Sequence, residues 1–274
     1  MTTAPVVELT CDQLADQLRA LGLGPTTGVL LVHAGLRELG PVAGGSAAVL
    51  AALRSVLGPG GTLVAYTATP ENSATSRLHR QATAGLSAAE RTAYLAAMPP
   101  FDPAASPCST TVGRLSEELR RTPGARRSAH PQTSFAALGP LAGQLLADHP
   151  YHCHLGERSP LGALYRAGAR VLLLGAPLTS CTAFHLAEYR VPEPPQKRYG
   201  AVVGGRGWVR FDGVDLDDAH FPAMLADILP GLGVRTAPVG GTTALLLPLR
   251  PAVDAATAWL RGRQGPSRGV WPNH

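Results

Sequence analysis

The chain has 274 residues, 45 % apolar, 5 % aromatic and 16 % charged, with a formal net charge of +5 at pH 7. That length and apolar share suit one α/β domain over 1–274 with a sizeable core, and they exclude a disordered chain. Cys11, Cys108, Cys153 and Cys181 lack CxxC spacing, which argues against a zinc or disulfide framework.

Thr10 is the expected N-cap of a helix over 10–21, with Leu14, Leu18 and Leu21 as its apolar stripe and Gly22 as its stop. Gly28 to His33 reads as a buried strand. The loop from Ala34 to Gly45 carries Arg37 and ends in two glycines before a helix that Ser46 caps and Leu57 ends. Backbone N–H groups at such a loop suit phosphate oxygens, although the loop is neither a Walker A loop nor a GxGxxG fingerprint. Gly58-Pro59-Gly60-Gly61 then turns into a second strand, Thr62 to Tyr66, and a right-handed crossover makes the two strands parallel.

Residues 68–108 have no strand pattern, and an insertion of that length reads as a lid or a binding loop. A helix is expected over Thr111–Arg121. The turn after it groups Arg126, Arg127, Ser128 and His130, a compact set of phosphate donors whose bland alternative is an ordinary basic turn. Residues 135–147 read as a helix. His149, His152 and His154 lack a second ligand pair at metal spacing, so no metal is expected. Ser159-Pro160 opens a further helix, with Ser at the N-cap and Pro at the first helical position.

Val171 to Leu174 is a strand buried on both faces, broken by Gly175 and Pro177. Thr179, Ser180 and Thr182 are candidate caps for a helix that carries His185, Glu188 and Tyr189. His185 and Glu188 are three apart and share one helical face, beside the strand ends where open α/β sheets bind ligands. A histidine there suits general-base work near neutral pH, and a core histidine with an exposed glutamate is the plainer alternative. Tyr199–Val203 and Trp208–Phe211 read as a hairpin. Asp217-Asp218 starts a helix through Leu229, Val234–Val239 pairs with Thr242–Leu247, and a last helix spans 251–262 before a frayed tail from Gly265.

Arginines concentrate between Arg114 and Arg127, and acids later, at Asp212, Asp215, Asp217, Asp218 and Asp227. The division suits one anionic and one cationic ligand. No basic helix with interleaved aromatics supports nucleic-acid binding, and no apolar run approaches the ~18 residues of a membrane span. The start of the chain lacks a basic-then-apolar signal, so a cytoplasmic location is expected.

Read in order, V-L-L-V-H with L-R-E-L-G, L-G-P-G-G-T-L-V, F-D-P-A-A-S-P, R-R-S-A-H-P, G-E-R-S-P-L-G-A-L, V-L-L-L-G and T-A-F-H-L-A-E-Y resemble the aminoglycoside 3-N-acetyltransferase family from near residue 9 to near residue 262. The resemblance implies a three-layer α/β/α fold around a mixed sheet, with antiparallel hairpin elements in the C-terminal third, unlike the common acetyltransferase superfamily. It implies acetyl transfer from acetyl-CoA to the 3-amino group of a 2-deoxystreptamine ring, conferring antibiotic resistance, by a monomer or homodimer. His185 falls on the family's general base and Glu188 on the acid of that motif. His33, Ala34, Gly35, Leu36 and Arg37, with Arg126, Arg127 and Ser128, fall where the family holds CoA. Ala34 and Gly35 stand where many members carry two hydroxyl residues, so backbone donors remain there without side-chain ones.

An aminoglycoside is a polycation, so acids must line its pocket in a basic protein; Glu157, Glu188, Asp217 and Asp218 are the candidates. Three rivals stand beside this reading. Cys181, four residues before His185, would share its helical face as a nucleophile. The acceptor would be another small amine in a biosynthetic pathway. Or the chain would bind CoA without catalysis.

Overall fold

The computed structural model describes residues 8–263; the expectation for the tail from Gly265 lies outside them. The elements run in chain order as α1 (Cys11–Leu21), β1 (Val29–Ala34), α2 (Leu36–Leu39), α3 (Gly45–Leu57), β2 (Thr62–Tyr66), α4 (Arg77–Thr83), α5 (Ala88–Ala97) and α6 (Arg114–Arg121). They continue as β3 (Arg126–Arg127), β4 (Phe135–Leu138), α7 (Ala142–Leu145), α8 (Pro160–Arg166), β5 (Arg170–Leu174) and α9 (His185–Glu188). The chain then forms β6 (Gln196–Val203), β7 (Gly207–Val214), α10 (Phe221–Ile228), β8 (Arg235–Val239), β9 (Thr242–Pro248) and α11 (Leu249–Arg263).

Seven strands form a mixed sheet in the order β3-β4-β2-β1-β5-β9-β8, and β6 and β7 form a separate antiparallel hairpin. β1 is parallel to both β2 and β5, while β4, β9 and β8 join antiparallel. Alternate residues of the central strands point to opposite faces, as the two-residue period requires. Leu30, Val32, Leu172 and Leu174 pack with Leu14, Leu18, Val49, Leu53 and Leu119 of α1, α3 and α6. Val29, Leu31, Val171 and Leu173 pack on the other side with Leu161, Leu164, Phe184, Phe221 and Val253. The three-layer expectation therefore holds, with burial of each such Leu or Phe contributing about 1.5–3 kcal/mol.

Four expectations need correction. Residues 135–147 are not one helix: Phe135–Leu138 is β4, paired with β2, and only Ala142–Leu145 is helical. F-A-A-L is too short for its period to be read, and the strand is fixed by the free edge of β2 rather than by propensity. The helix carrying His185 is a single turn preceded by two 3₁₀ turns, at 178–180 and 182–184, rather than a continuous helix from Thr179. Asp217-Asp218 do not open α10, which begins at Phe221 with Pro222 in its first turn. Ser46 does not cap α3 either: Gly44, at φ +84°, precedes it, and the Ser46 hydroxyl donates to Glu118 Oε2 at 2.8 Å.

The insertion between β2 and α6 is tied to the hairpin. Asn72 Nδ2 donates to the Val202 carbonyl and its Oδ1 accepts from the Val202 N–H, both at 2.7 Å. Gln132 Nε2 donates to the Asn72 and Gly200 carbonyls, and Trp208 Nε1 donates to the Leu95 carbonyl at 3.1 Å. A cavity of about 480 Å³ opens under the insertion, walled by Glu71, Tyr94, Met98, Phe101, Cys108 and Thr110.

Candidate active site

The parallel strands β2, β1 and β5 end together. The chain leaves β1 for β2 through α3 on one face of the sheet and reaches β5 through α8 on the other, which leaves a crevice beyond the end of β1. The strand ends meet closely there. Gly35 N donates to the Leu174 carbonyl at 2.9 Å, and a Cβ on Gly35 would collide with the Gly175 carbonyl oxygen. Gly175, at φ +69°, would in turn press a Cβ against the Gly35 carbonyl.

His185 reaches this edge because the residues around it are held inside. Thr182, Ala183, Phe184, Leu186 and Ala187 are buried, so the turn leaves the imidazole as its partly exposed side chain, at 16 %. Phe221 packs against both the Phe184 ring at 5.7 Å and the His185 ring at 4.9 Å. His185 Nδ1 lies 2.6 Å from Glu188 Oε2. An ionised carboxylate only accepts, so the proton in that bond sits on Nδ1 and Nε2 is the basic nitrogen. Glu188, 6 % exposed in its side chain, is held in place by the Asp217 N–H, which donates to Oε1 at 3.0 Å. The arrangement can accept a proton at Nε2 and stabilise the imidazolium that results.

His33 Nε2 lies 3.3 Å from Thr182 Oγ1, which joins the end of β1 to the turn that carries His185. Burial pulls the His33 pKa down to about 4, so this ring is neutral. Ala34, Gly35 and Leu36 are half-buried beside it, and Arg37 is exposed, with no ion pair among the described residues. Arg126 is also exposed. Arg127 and Ser128 turn inward. Arg127 donates to Thr67 Oγ1, Ser134 Oγ and the Thr67 and Ser106 carbonyls, and its guanidinium lies 5.0 Å from the Phe101 ring centre. Ser128 Oγ accepts from Phe135 N and donates to His149 Nδ1 at 2.9 Å. Arg127 therefore shapes the wall of the insertion, while Ser128 ties the turn to β4 and the buried His149. Arg127→Ala is expected to cost about 2–4 kcal/mol and to raise amide exchange across 101–107. Exchange no faster than wild type in that segment would remove the clamp.

Asp217 and Asp218 are exposed on the loop that reaches Glu188. Glu157 is drawn aside, with Arg190 Nε at 2.6 Å and Arg166 Nη1 at 3.7 Å. Cys181 is fully buried, and burial pushes its thiol up to about 12. His149 and His154 join His130 in a buried cluster, with ring centres 4.7 and 4.5 Å from that of His130, while His152 is exposed. His149 and His154 take up internal hydrogen bonds, and among the described residues no group of three His, Cys, Asp or Glu is arranged to hold a metal. No helix of the described residues is long and apolar enough to cross a membrane.

One neighbour of the pair has no signal in the sequence. His220 Nε2 stands 4.0 Å from Glu188 Oε1. It precedes α10 and lies far along the chain from Glu188, so no helical spacing links them.

A histidine with a basic Nε2 and a carboxylate behind it is an arrangement suited to general-base chemistry at a strand-end crevice. The family model described as aminoglycoside 3-N-acetyltransferase matches residues 31–261, and the chain belongs to that family. Aminoglycoside N(3)-acetyltransferase VII of Streptomyces paromomycinus is 37 % identical over 283 residues, which cover 95 % of this chain and 94 % of that protein. Among solved structures, the YokD protein from Bacillus subtilis superposes with a TM-score of 0.88 at 31 % identity, covering 96 % of this chain and 97 % of that one. AAC-IIIb in its binary complex with CoASH gives 0.81 at 32 % identity, covering 96 % and 100 %.

Proposed function

We propose that the chain transfers the acetyl group of acetyl-CoA to the 3-amino group of the 2-deoxystreptamine ring of an aminoglycoside, with His185 as general base, and so confers resistance. The observation that carries this reading is the 2.6 Å contact between His185 Nδ1 and Glu188 Oε2 in a chain of this family. A neutral His185 takes a proton at Nε2 from the attacking amine as the nitrogen–carbon bond forms. The carbon–sulfur bond breaks as the tetrahedral intermediate collapses, and CoA leaves as the thiol after taking up a proton. Glu188 keeps the ring in the Nδ1–H tautomer and faces the imidazolium with a negative charge.

CoA fits the crevice beyond β1, along the backbone of His33 to Arg37, with the exposed Arg37 and Arg126 as phosphate partners. Arg127 and Ser128 support that side of the site from within. The acceptor is a polycation, and Asp217 and Asp218 give the loop beside Glu188 the charge to draw it in. Glu157 contributes less, because its charge is shared with Arg190 and Arg166.

Cys181 is an unsuitable nucleophile, being buried with its thiolate disfavoured at neutral pH. Cys181→Ser is expected to leave turnover unchanged and the native protein to resist thiol reagents at that position. A loss of turnover to the level of His185→Ala would restore the acyl-enzyme route. The deciding experiment is thiol release from acetyl-CoA with gentamicin, kanamycin, apramycin and neomycin. Aminoglycoside-dependent release supports the reading; CoA binding without release moves the acceptor to another amine or leaves a binding role.

A further inference from the structure

Glu188 serves more than His185. Its Oε2 accepts a hydrogen bond from His185 Nδ1 at 2.6 Å and its Oε1 accepts one from the Asp217 N–H at 3.0 Å. His220 Nε2 stands on the Oε1 side at 4.0 Å, with side-chain exposures of 9 % for His220 and 6 % for Glu188. Aromatic contacts fix its ring: Trp259 stacks at 21° with centres 6.2 Å apart, and Phe221 meets it edge-on at 5.1 Å. A separation of 4.0 Å is too long for a hydrogen bond, yet a charge on His220 at that distance acts strongly on a carboxylate screened from water.

We propose that His220 is a positioning residue that shares Glu188 with His185: when neutral it leaves the carboxylate to His185, and when protonated it draws the carboxylate away and disables the pair. The proposal rests on the reading of His185 as general base. Phe221 is common to the arrangement, since its ring touches both the His185 and the His220 rings. The carboxylate, the two imidazoles and the ring between them thus form one packed group.

The charged and titratable groups around His220 come from each element near it. Glu188 and His185 face it from α9, and Asp217 and Asp218 from its own loop. On the side of α11, Trp259 stacks with His220, the Arg263 guanidinium is 4.1 Å from the Trp259 ring centre, and Trp259 Nε1 donates to Asp227 Oδ2 at 2.7 Å. Burial lowers the His220 pKa below the usual histidine value; Glu188, Asp217 and Asp218 oppose the shift and His185 adds to it. His220 is therefore neutral at neutral pH and becomes charged on acidification.

Acidification then inactivates the enzyme through His220 as well as through loss of the general base. The logarithm of kcat against pH should fall with a slope that steepens from one proton toward two on the acid side. In His220→Gln the limb should fall with a slope of one, whatever the absolute rate. His220→Lys places a fixed cation beside Glu188, and at about pH 8 its kcat should be lower than that of His220→Gln by about tenfold. The measurement is kcat by thiol release over about pH 5–8 for the full-length protein and these variants, with His185→Ala alongside. A wild-type limb of one proton overturns the proposal, and needs no variant to fold. So does a two-proton limb that persists in His220→Gln. In either case a collapsed His185→Ala leaves the general-base reading standing, whereas an active His185→Ala removes that reading and this one with it.

Discussion

His185→Ala is expected to lower kcat by about 10²–10⁴, the range for losing a general base, while CoA still binds. The alanine keeps the turn, because Phe184, Leu186 and Ala187 bury themselves independently of the imidazole. Glu188→Gln tests the same pair from the other side. Its amide can donate to Nδ1, which moves the ring proton to Nε2 and removes the lone pair that must receive the substrate proton. Its kcat should fall by at least about tenfold with folding intact. Single-turnover thiol release and calorimetric CoA binding give the two readouts. Near wild-type turnover in His185→Ala would end the general-base role.

The second large effect is on stability in acid. His130, His149 and His154 form a buried cluster whose hydrogen bonds suit only neutral rings. Nε2 donates in each: to the Tyr151 carbonyl from His130, to the His154 carbonyl from His149, and to Gln132 Oε1 from His154. The opposite nitrogen of His130 accepts from the Gln132 and Thr133 N–H groups, and that of His149 from Ser128 Oγ. A second proton on His130 or His149 would set donor against donor. Burial, first among the causes, pulls His149 down to about 4 and His154 to about 3, and holds His130 well below its usual value.

Because these folded pKa values lie below those of the unfolded chain, unfolding binds protons as the pH falls from about 6.5 toward 4. Stability is constant above that window and lost within it, by about 4 kcal/mol per pH unit where all three sites are protonated only on unfolding. Calorimetric melting from about pH 7 to pH 4 should therefore show a steep fall in Tm that begins before carboxylates titrate. A Tm that stays flat from about pH 6.5 to pH 5 would refute the cluster's part in it.

The parts of this molecule that a sequence shows are those with a local cause. β1, β2 and β5 are unbroken apolar runs bounded by glycine, and the hairpin β6–β7 alternates across a glycine-rich turn. His185 and Glu188 are three residues apart, so one turn of helix brings them together even though the longer helix expected around them does not form. What was hidden depends on partners distant in sequence. Phe135–Leu138 is a strand because β2 has an edge to fill. Arg127 and Ser128 look like phosphate donors until Thr67, Ser106 and His149 occupy them. His220 meets Glu188 only after the intervening hairpin has folded back on itself.

The bond between Asn72 and Val202 joins residues 130 apart in sequence, and the one between Gln132 and Gly200 joins residues 68 apart. During synthesis, the insertion therefore emerges long before the hairpin that satisfies its polar groups. Until Val202 has left the ribosome, the Asn72 amide has only water for a partner, and contacts of such long range slow the final step of folding. A nascent chain stalled short of the hairpin should present the insertion as an open, protease-sensitive flap on a partly built sheet.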